Sequence, residues 1–283
     1  MIDGRGPKHA LLARGLRPKG SFGQNFLADE GIASRIAELA TTPPGGTVVE
    51  IGAGLGSLTA PLLARARRVI AIERDRDLVP ALRDGFPEAV ASGALEIVEA
   101  DAKAVDYESL FERATGPRTL AGNLPYQITG PLLERTVGLA SRVERVVYMV
   151  QLEVADRLAA KADTEHYGGL SVFVQAAFGV ERAFVVRRGA FYPQPNVDSA
   201  VVVLTPHRPP IAEETATFRA VVRAAFAARR KTLRNAWKGL PGVDAASLAR
   251  LAADAGIDLD ARGETLDVTA FARMAAALEA NRS

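Results

Sequence analysis

Glu50-Ile51-Gly52-Ala53-Gly54-Leu55-Gly56-Ser57-Leu58 follows directly on Thr47-Val48-Val49, a run of β-formers. Three glycines at alternate positions let the backbone turn tightly and bring a ligand close to the main chain beside a helix N-terminus. Residues 47–65 therefore read as strand, glycine turn and helix, the unit from which parallel sheets are built. The spacing narrows the ligand. A dinucleotide fingerprint reads G-x-G-x-x-G, whereas here the third glycine comes one residue early and Ser57 stands where the close-packing glycine belongs. That displacement counts against a pyrophosphate, although glycine-rich turns also serve NAD, FAD and plain structure.

The alternation extends outward from this turn, from about residue 29 to 160. Asp29 is placed to cap a helix with Ile32, Ile36 and Leu39 on one face, and Pro43-Pro44-Gly45-Gly46 ends it. After the helix from Ser57 to about Arg65 come the strand VIAIE (69–73), a helix over about 75–84 and the strand LEIVEAD (95–101). A short helix near 107–113, the strand TLAGN (119–123), a helix at 131–140 and the strand VERVVYMVQ (143–151) follow. The expected class is α/β with a mostly parallel, doubly wound, Rossmann-like sheet. AFVVRR and SAVVVLTP, joined by FYPQPNVD, predict a hairpin-like finish at one sheet edge.

Three prolines in TPHRPPIAEE (205–214) interrupt the pattern. Beyond them Phe218, Val221, Val222, Ala225 and Phe226 recur at helical spacing, and the Ala-rich remainder carries no strand signal. The organisation expected is one domain over residues 1–206, including a basic segment at 1–28, and a small α-helical domain over 207–283.

Composition bounds the chemistry. The 283 residues are 48% hydrophobic, enough for a large core and a second small one. Charges interrupt every apolar run, so no membrane span or secretory signal is expected, and the cytoplasm is the simplest compartment. With no cysteine, disulfides, thiolate metal sites and a cysteine nucleophile are excluded. His9, His166 and His207 are too scattered to form a metal cluster, so no metal is expected. The net charge is only +2, but the basic residues are concentrated. Residues 1–20 hold Arg5, Lys8, Arg14, Arg17 and Lys19 against Asp3 alone, and residues 219–238 hold seven basic residues and no acid. Either zone alone reads as a solvated face; together they point to nucleic acid.

Glu73 ends the second strand of the alternation and Asp101 the third. A carboxylate at the first position is placed to accept from two ribose hydroxyls, and one at the second from an adenine amino group. Each is also placed to cap a helix, and NAD enzymes put an acid where Glu73 stands. Both acids beside G-x-G-x-G describe a site for adenosine without a diphosphate, which suits S-adenosyl-L-methionine. Asn123 ends the fourth strand, in GNLPYQITG (122–130). The Asn123 side-chain carbonyl and the Leu124 backbone carbonyl are placed to accept the two N–H groups of an exocyclic nucleobase amine, aiming its lone pair at a sulfonium methyl. Pro125 holds the turn and Tyr126 stacks on the base, so catalysis is positioning and electrostatics, with no covalent intermediate. The competing reading is a sharp turn with a satisfied Asn and a packed Tyr.

FGQNFL (22–27), EIGAGLGSLT (50–59), NLPYQIT (123–129), QLEVADRL (151–158), YGGLSV (167–172) and FYPQPNVDSAVV (191–202) occur in this order. In these segments the chain resembles the KsgA-type small-subunit ribosomal RNA adenine N6-dimethyltransferases, from about Ser21 to Leu204 and weakly beyond. The resemblance implies a class I S-adenosylmethionine-dependent methyltransferase sheet with a small C-terminal helical domain. It implies that Asn25 and Leu27 contact the cofactor with Gly52, Glu73, Asp101 and Asn123, and that Phe191 stacks on the target adenine opposite Tyr126. The activity implied is dimethylation of two adjacent adenosines near the 3′ end of small-subunit (16S) ribosomal RNA, on the immature subunit late in assembly. Arg229, Arg230, Lys231 and Arg234 would then hold RNA phosphates without regard to sequence. Nothing in the chain demands an oligomer, and a monomer is expected. Departures are small: GAG for the commoner GPG, and QIT for NIS, which touches substrate preference. Three alternatives stand beside this reading. One is the related adenine methyltransferase of large-subunit RNA, whose members tend to differ inside NLPY and FxPxP. A DNA or protein amino-methyltransferase is another, often marked by N-P-P-Y where Leu124 stands here. The third is a ribosome-assembly factor that keeps the fold without the reaction, against which Asn123, Tyr126 and Phe191 argue.

Overall fold

A computed structural model describes residues 6–228 and 230–281. Its strands are β1 (Phe26–Leu27), β2 (Thr47–Ile51), β3 (Arg68–Glu73), β4 (Leu95–Glu99), β5 (Arg118–Asn123), β6 (Arg145–Gln151), β7 (Phe178–Val186), β8 (Phe191–Tyr192) and β9 (Ser199–Pro206). Seven of them form one sheet in the order β4-β3-β2-β5-β6-β9-β7. Parallel pairs join β2 to β3, β2 to β5, β3 to β4 and β5 to β6. All five residues of β2 are buried, as a central parallel strand covered on both faces requires. β9 enters antiparallel to β6 and lies between it and β7.

The strand order reverses between β2 and β5, which makes the crevice beyond their C-terminal ends the expected place for a ligand in a doubly wound sheet. The register aligns Ile51 with Gly122, so the glycine turn and Asn123 leave the sheet side by side. Gly122 is required there: a Cβ would meet the carbonyl oxygen of Ile51 at 2.5 Å. Helices fill the connections. Asp29 caps the helix Glu30–Ala40 by accepting from the Ile32 N–H, and Ala33, Ile36, Ala37 and Ala40 are its buried face. After the glycine turn the helix is only Thr59–Leu63, and a second short helix, Pro87–Ser92, precedes β4. The stretch between β7 and β9 is more than a hairpin loop. Its Phe191–Tyr192 forms β8, paired antiparallel with β1 in a separate two-stranded sheet.

The chain divides into two compact units, residues 1–155 with 181–205, and residues 156–180 with 206–283. A single cut after residue 206 therefore does not describe it. The segment 156–180 joins the helical unit because Val172 and Ala176, on the helix Gly169–Ala177, belong to the core of Phe218, Val222, Trp237 and Phe271. Trp237 is fully buried, and its indole N–H donates to the Val221 carbonyl at 2.9 Å, as a buried indole must. In the last segment, 206–283, β9 contributes only Pro206, and the one further β feature described there is an isolated bridge between Thr232 and Arg262. Among the described residues no helix is long and apolar enough to cross a membrane, and no group of His, Cys, Asp and Glu could hold a metal ion.

Candidate functional site

The glycine turn leaves β2 with Gly52 at φ 73°, Gly54 at 58° and Gly56 at 85°, all in the left-handed region that side chains resist. The N–H groups of Gly52 and Ala53 both donate to the Ile72 carbonyl, which hangs the turn from β3. At Gly54 a Cβ would sit 3.2 Å from the ring of Phe26, so the N-terminal segment lies directly against the turn.

Glu73 is 7% exposed and completes the turn. Its two carboxylate oxygens accept the N–H groups of Gly54 and Asp75, each at 2.8 Å. Burial pushes its carboxyl up, and these N–H donors pull against that. Asp101 is half-buried and accepts from the Lys103 N–H at 2.9 Å. Its other oxygen lies 3.6 Å from Arg74, whose guanidinium stands 4.3 Å from the Phe22 ring centroid.

Residues 19–27 close one side of the hollow. Gln24 donates to Asp75 at 2.7 Å, and Lys19 bonds the same carboxylate and that of Asp77. Asp75 is 2% exposed. Burial alone would raise its carboxyl, but the bonds from Lys19 and Gln24 outweigh that and hold it below the usual range.

The turn after β5 forms the opposite side. Asn123 donates its amide N–H to the backbone carbonyl of Asn25 at 2.8 Å, which leaves Oδ1 as an acceptor. The Leu124 N–H donates to the Met149 carbonyl at 3.0 Å; among the described residues nothing donates to the carbonyl of Leu124. Pro125 (φ −58°, ψ 126°) turns the chain into a short 3-10 turn, Tyr126–Ile128, and Tyr126 is tied through its hydroxyl to Ser199 at 2.7 Å.

One hollow is thus lined by Asn25, Leu27, Gly52, Glu73, Asp101, Asn123, Leu124, Pro125 and Tyr126. Phe191 is not among its walls. It is 5% exposed and pairs in register with Leu27, beside a residue that does line the hollow. In the helical unit, Arg230 and Lys231 are exposed in the turn between the helices Ala216–Phe226 and Leu233–Trp237. Arg234 is exposed but bonds Asp260 at 3.1 Å, and Arg229 lies outside the described residues.

Two residues on the walls of the hollow were not among the expected site residues. Glu50 is 1% exposed inside β2 and accepts from the Thr59 hydroxyl at 2.6 Å. Burial pushes its carboxyl to about 7, and the neighbouring charge of Glu73 adds to the rise. The signal was available, since an acid in the middle of TVVEIG has no solvent and must have a purpose. Ser57 Oγ is buried without a hydrogen-bond partner. An orphaned hydroxyl on a wall that also carries Glu73 and Asp101 suits a polar, nucleoside-sized ligand.

The model of the family described as ribosomal RNA adenine dimethylase matches residues 15–274. A ribosomal RNA small subunit methyltransferase A from Anaeromyxobacter sp. is 43% identical, with 97% of this chain and 98% of that protein covered. The protein of the same name from Magnetococcus marinus is 44% identical over 95% and 94%. Among solved structures, a dimethyladenosine transferase from Plasmodium falciparum superposes with a TM-score of 0.77 at 24% identity, covering 91% of this chain and 98% of that one. The 23S rRNA methyltransferase ErmE gives 0.67 at 26% identity, covering 90% and 100%.

Proposed function

The chain belongs to the ribosomal RNA adenine dimethylase family, and from that premise we propose that it dimethylates the N6 amino groups of two adjacent adenosines near the 3′ end of small-subunit ribosomal RNA. The observation that carries this reading is one hollow that holds both the glycine turn with its acids and the Asn123-Leu124-Pro125-Tyr126 turn. The curated relatives above 40% identity carry the small-subunit name, which favours that RNA over the large-subunit substrate in ErmE's name.

S-adenosyl-L-methionine is the cofactor of this reading and supplies an electrophilic methyl group when bound. Gly52, Glu73, Asp101, Asn25 and Leu27 would hold it, and the unpartnered Ser57 hydroxyl supports a polar group against that wall. Asn123 Oδ1 and the Leu124 carbonyl accept the two N–H groups of the target amine and orient its lone pair into the hollow. The nitrogen becomes acidic once methylated, so no strong base is required. Tyr126 takes one face of the unstacked base; Phe191, expected from the sequence on the other face, is buried beside Leu27 and off the walls of the hollow. Arg229, Arg230, Lys231 and Arg234 hold RNA phosphates, Arg234 sharing its guanidinium with Asp260. The protein acts as a cytoplasmic monomer on the immature small subunit, away from any membrane.

Purified immature small-subunit particles and large-subunit RNA, methylated side by side with labelled cofactor, test this. Label confined to the small-subunit RNA supports the reading; label confined to the large-subunit RNA overturns it.

A further inference from the structure

A second polar hollow lies on the same unit, walled by Arg187, Arg188, Gly189, Gln194, Asn196 and Asp198. Asp198 organises it. One carboxylate oxygen accepts from the Arg187 guanidinium at 2.7 Å and the other from the Arg188 backbone N–H at 2.9 Å. Those bonds hold its carboxyl below the usual range. The loop is therefore fixed while its cations stay outside. The Arg187 side chain is 83% exposed, and Arg188, Gln194 and Asn196 are exposed too. One acid faces two guanidiniums, so the hollow keeps an excess of positive charge and most of its N–H donors unspent.

Its position gives it a purpose. Asp198 is followed in the chain by Ser199, and Ser199 Oγ is 2.7 Å from the Tyr126 hydroxyl. Two residues and one hydrogen bond thus connect the arginine hollow to the aromatic at the base site. Phe191 follows Arg188 by three residues on the same loop. A nucleotide whose base enters the Asn123 hollow keeps its flanking phosphates outside it, and a guanidinium fork is the side chain best shaped for phosphate.

We infer that Arg187 and Arg188 form a phosphodiester subsite that holds the RNA backbone next to the target adenosine, an inference that rests on the RNA-methylating reading above. Asp198 is a positioning residue: it aims the loop and does not touch the RNA.

The test compares wild type, an Arg187→Ala/Arg188→Ala double variant and an Arg187→Lys/Arg188→Lys double variant. Each is assayed for KM and kcat on immature small-subunit particles across a salt series, and for S-adenosylmethionine affinity by calorimetry. The alanine pair should raise KM by roughly tenfold or more, because charge-assisted bonds to phosphate are lost. Its salt dependence, log affinity against log salt, should be shallower by about 1.4, at ~0.7 per phosphate contact on a single strand. The lysine pair should recover most of the salt slope, and cofactor affinity should match wild type in both. An alanine pair with wild-type KM and salt slope overturns the subsite while leaving the methylation reading intact. Wild-type protein that fails to methylate the particles overturns both.

Discussion

The side-chain amide of Asn123 donates to the main-chain carbonyl of Asn25 at 2.8 Å, joining the end of β5 to the N-terminal segment. One carboxamide thus does two things: its N–H latches residues 19–27 against the hollow and its oxygen remains an acceptor. Asn123→Ala removes both and should lower kcat by about a hundredfold or more, the scale of losing one preorganised polar partner. RNA affinity should stay near wild type. Asn123→Asp keeps an acceptor and loses the latch, so it should weaken cofactor binding as well. Single-turnover methylation beside RNA-binding titrations separates the two effects, and near-wild-type transfer by Asn123→Ala would remove Asn123 from the chemistry.

Tyr126 separates ring from hydroxyl. Tyr126→Phe loses the bond to Ser199 and should cost about 1 kcal/mol of stability, with turnover kept within a few-fold. Tyr126→Ala removes the stacking face, worth ~1–3 kcal/mol per base, and should raise KM for the particles. Equal losses in both variants would mean that the hydroxyl, rather than the ring, matters.

Asp75 is the anchor of the strap, since Lys19 and Gln24 both bond its carboxylate. Asp75→Ala should weaken S-adenosylmethionine binding by roughly tenfold, as two bonds to a buried charge are lost. kcat at saturating cofactor should be little changed. Calorimetry with the cofactor product, S-adenosylhomocysteine, reads this without turnover, and unaltered affinity would show that the strap is ornamental to binding.

Glu50 predicts a pH dependence. Its carboxyl is raised from 4.5 when free to about 7 in the fold, because it is buried. The folded state therefore binds its proton more tightly than the unfolded chain does. The associated stability is full below about 4.5 and is lost as pH rises through about 7, a change on the order of 3 kcal/mol. Glu50→Gln, always neutral, should flatten the fall in urea midpoint between pH 5 and 8. Parallel curves for variant and wild type would place the titration elsewhere.

Much of this was legible in the sequence because it is local. The glycine turn, the acids Glu73 and Asp101 at strand ends, and Asn123 at the next strand end follow from chain order once a parallel sheet is assumed, since every such strand delivers its C-terminus to one edge. What was not legible is pairing between distant segments. Nothing around Phe191 announces that it will align with Leu27, and so its burial off the walls of the hollow was not foreseen. Val172 and Ala176 have an apolar spacing that suits either unit, and only the packing of Phe218 and Trp237 assigns them. Arg234 read as a free cation because Asp260, its partner, is far along the chain.

The pairing of β1 with β8 also orders events during synthesis. Phe26 and Leu27 leave the ribosome early, yet their partners Tyr192 and Phe191 emerge only after more than half the polypeptide has been made. A nascent chain released before that point carries the glycine turn and every acid of the hollow but has no second strand on which to seat its N-terminal strap. Translation must pass residue 192 before the whole pocket can exist.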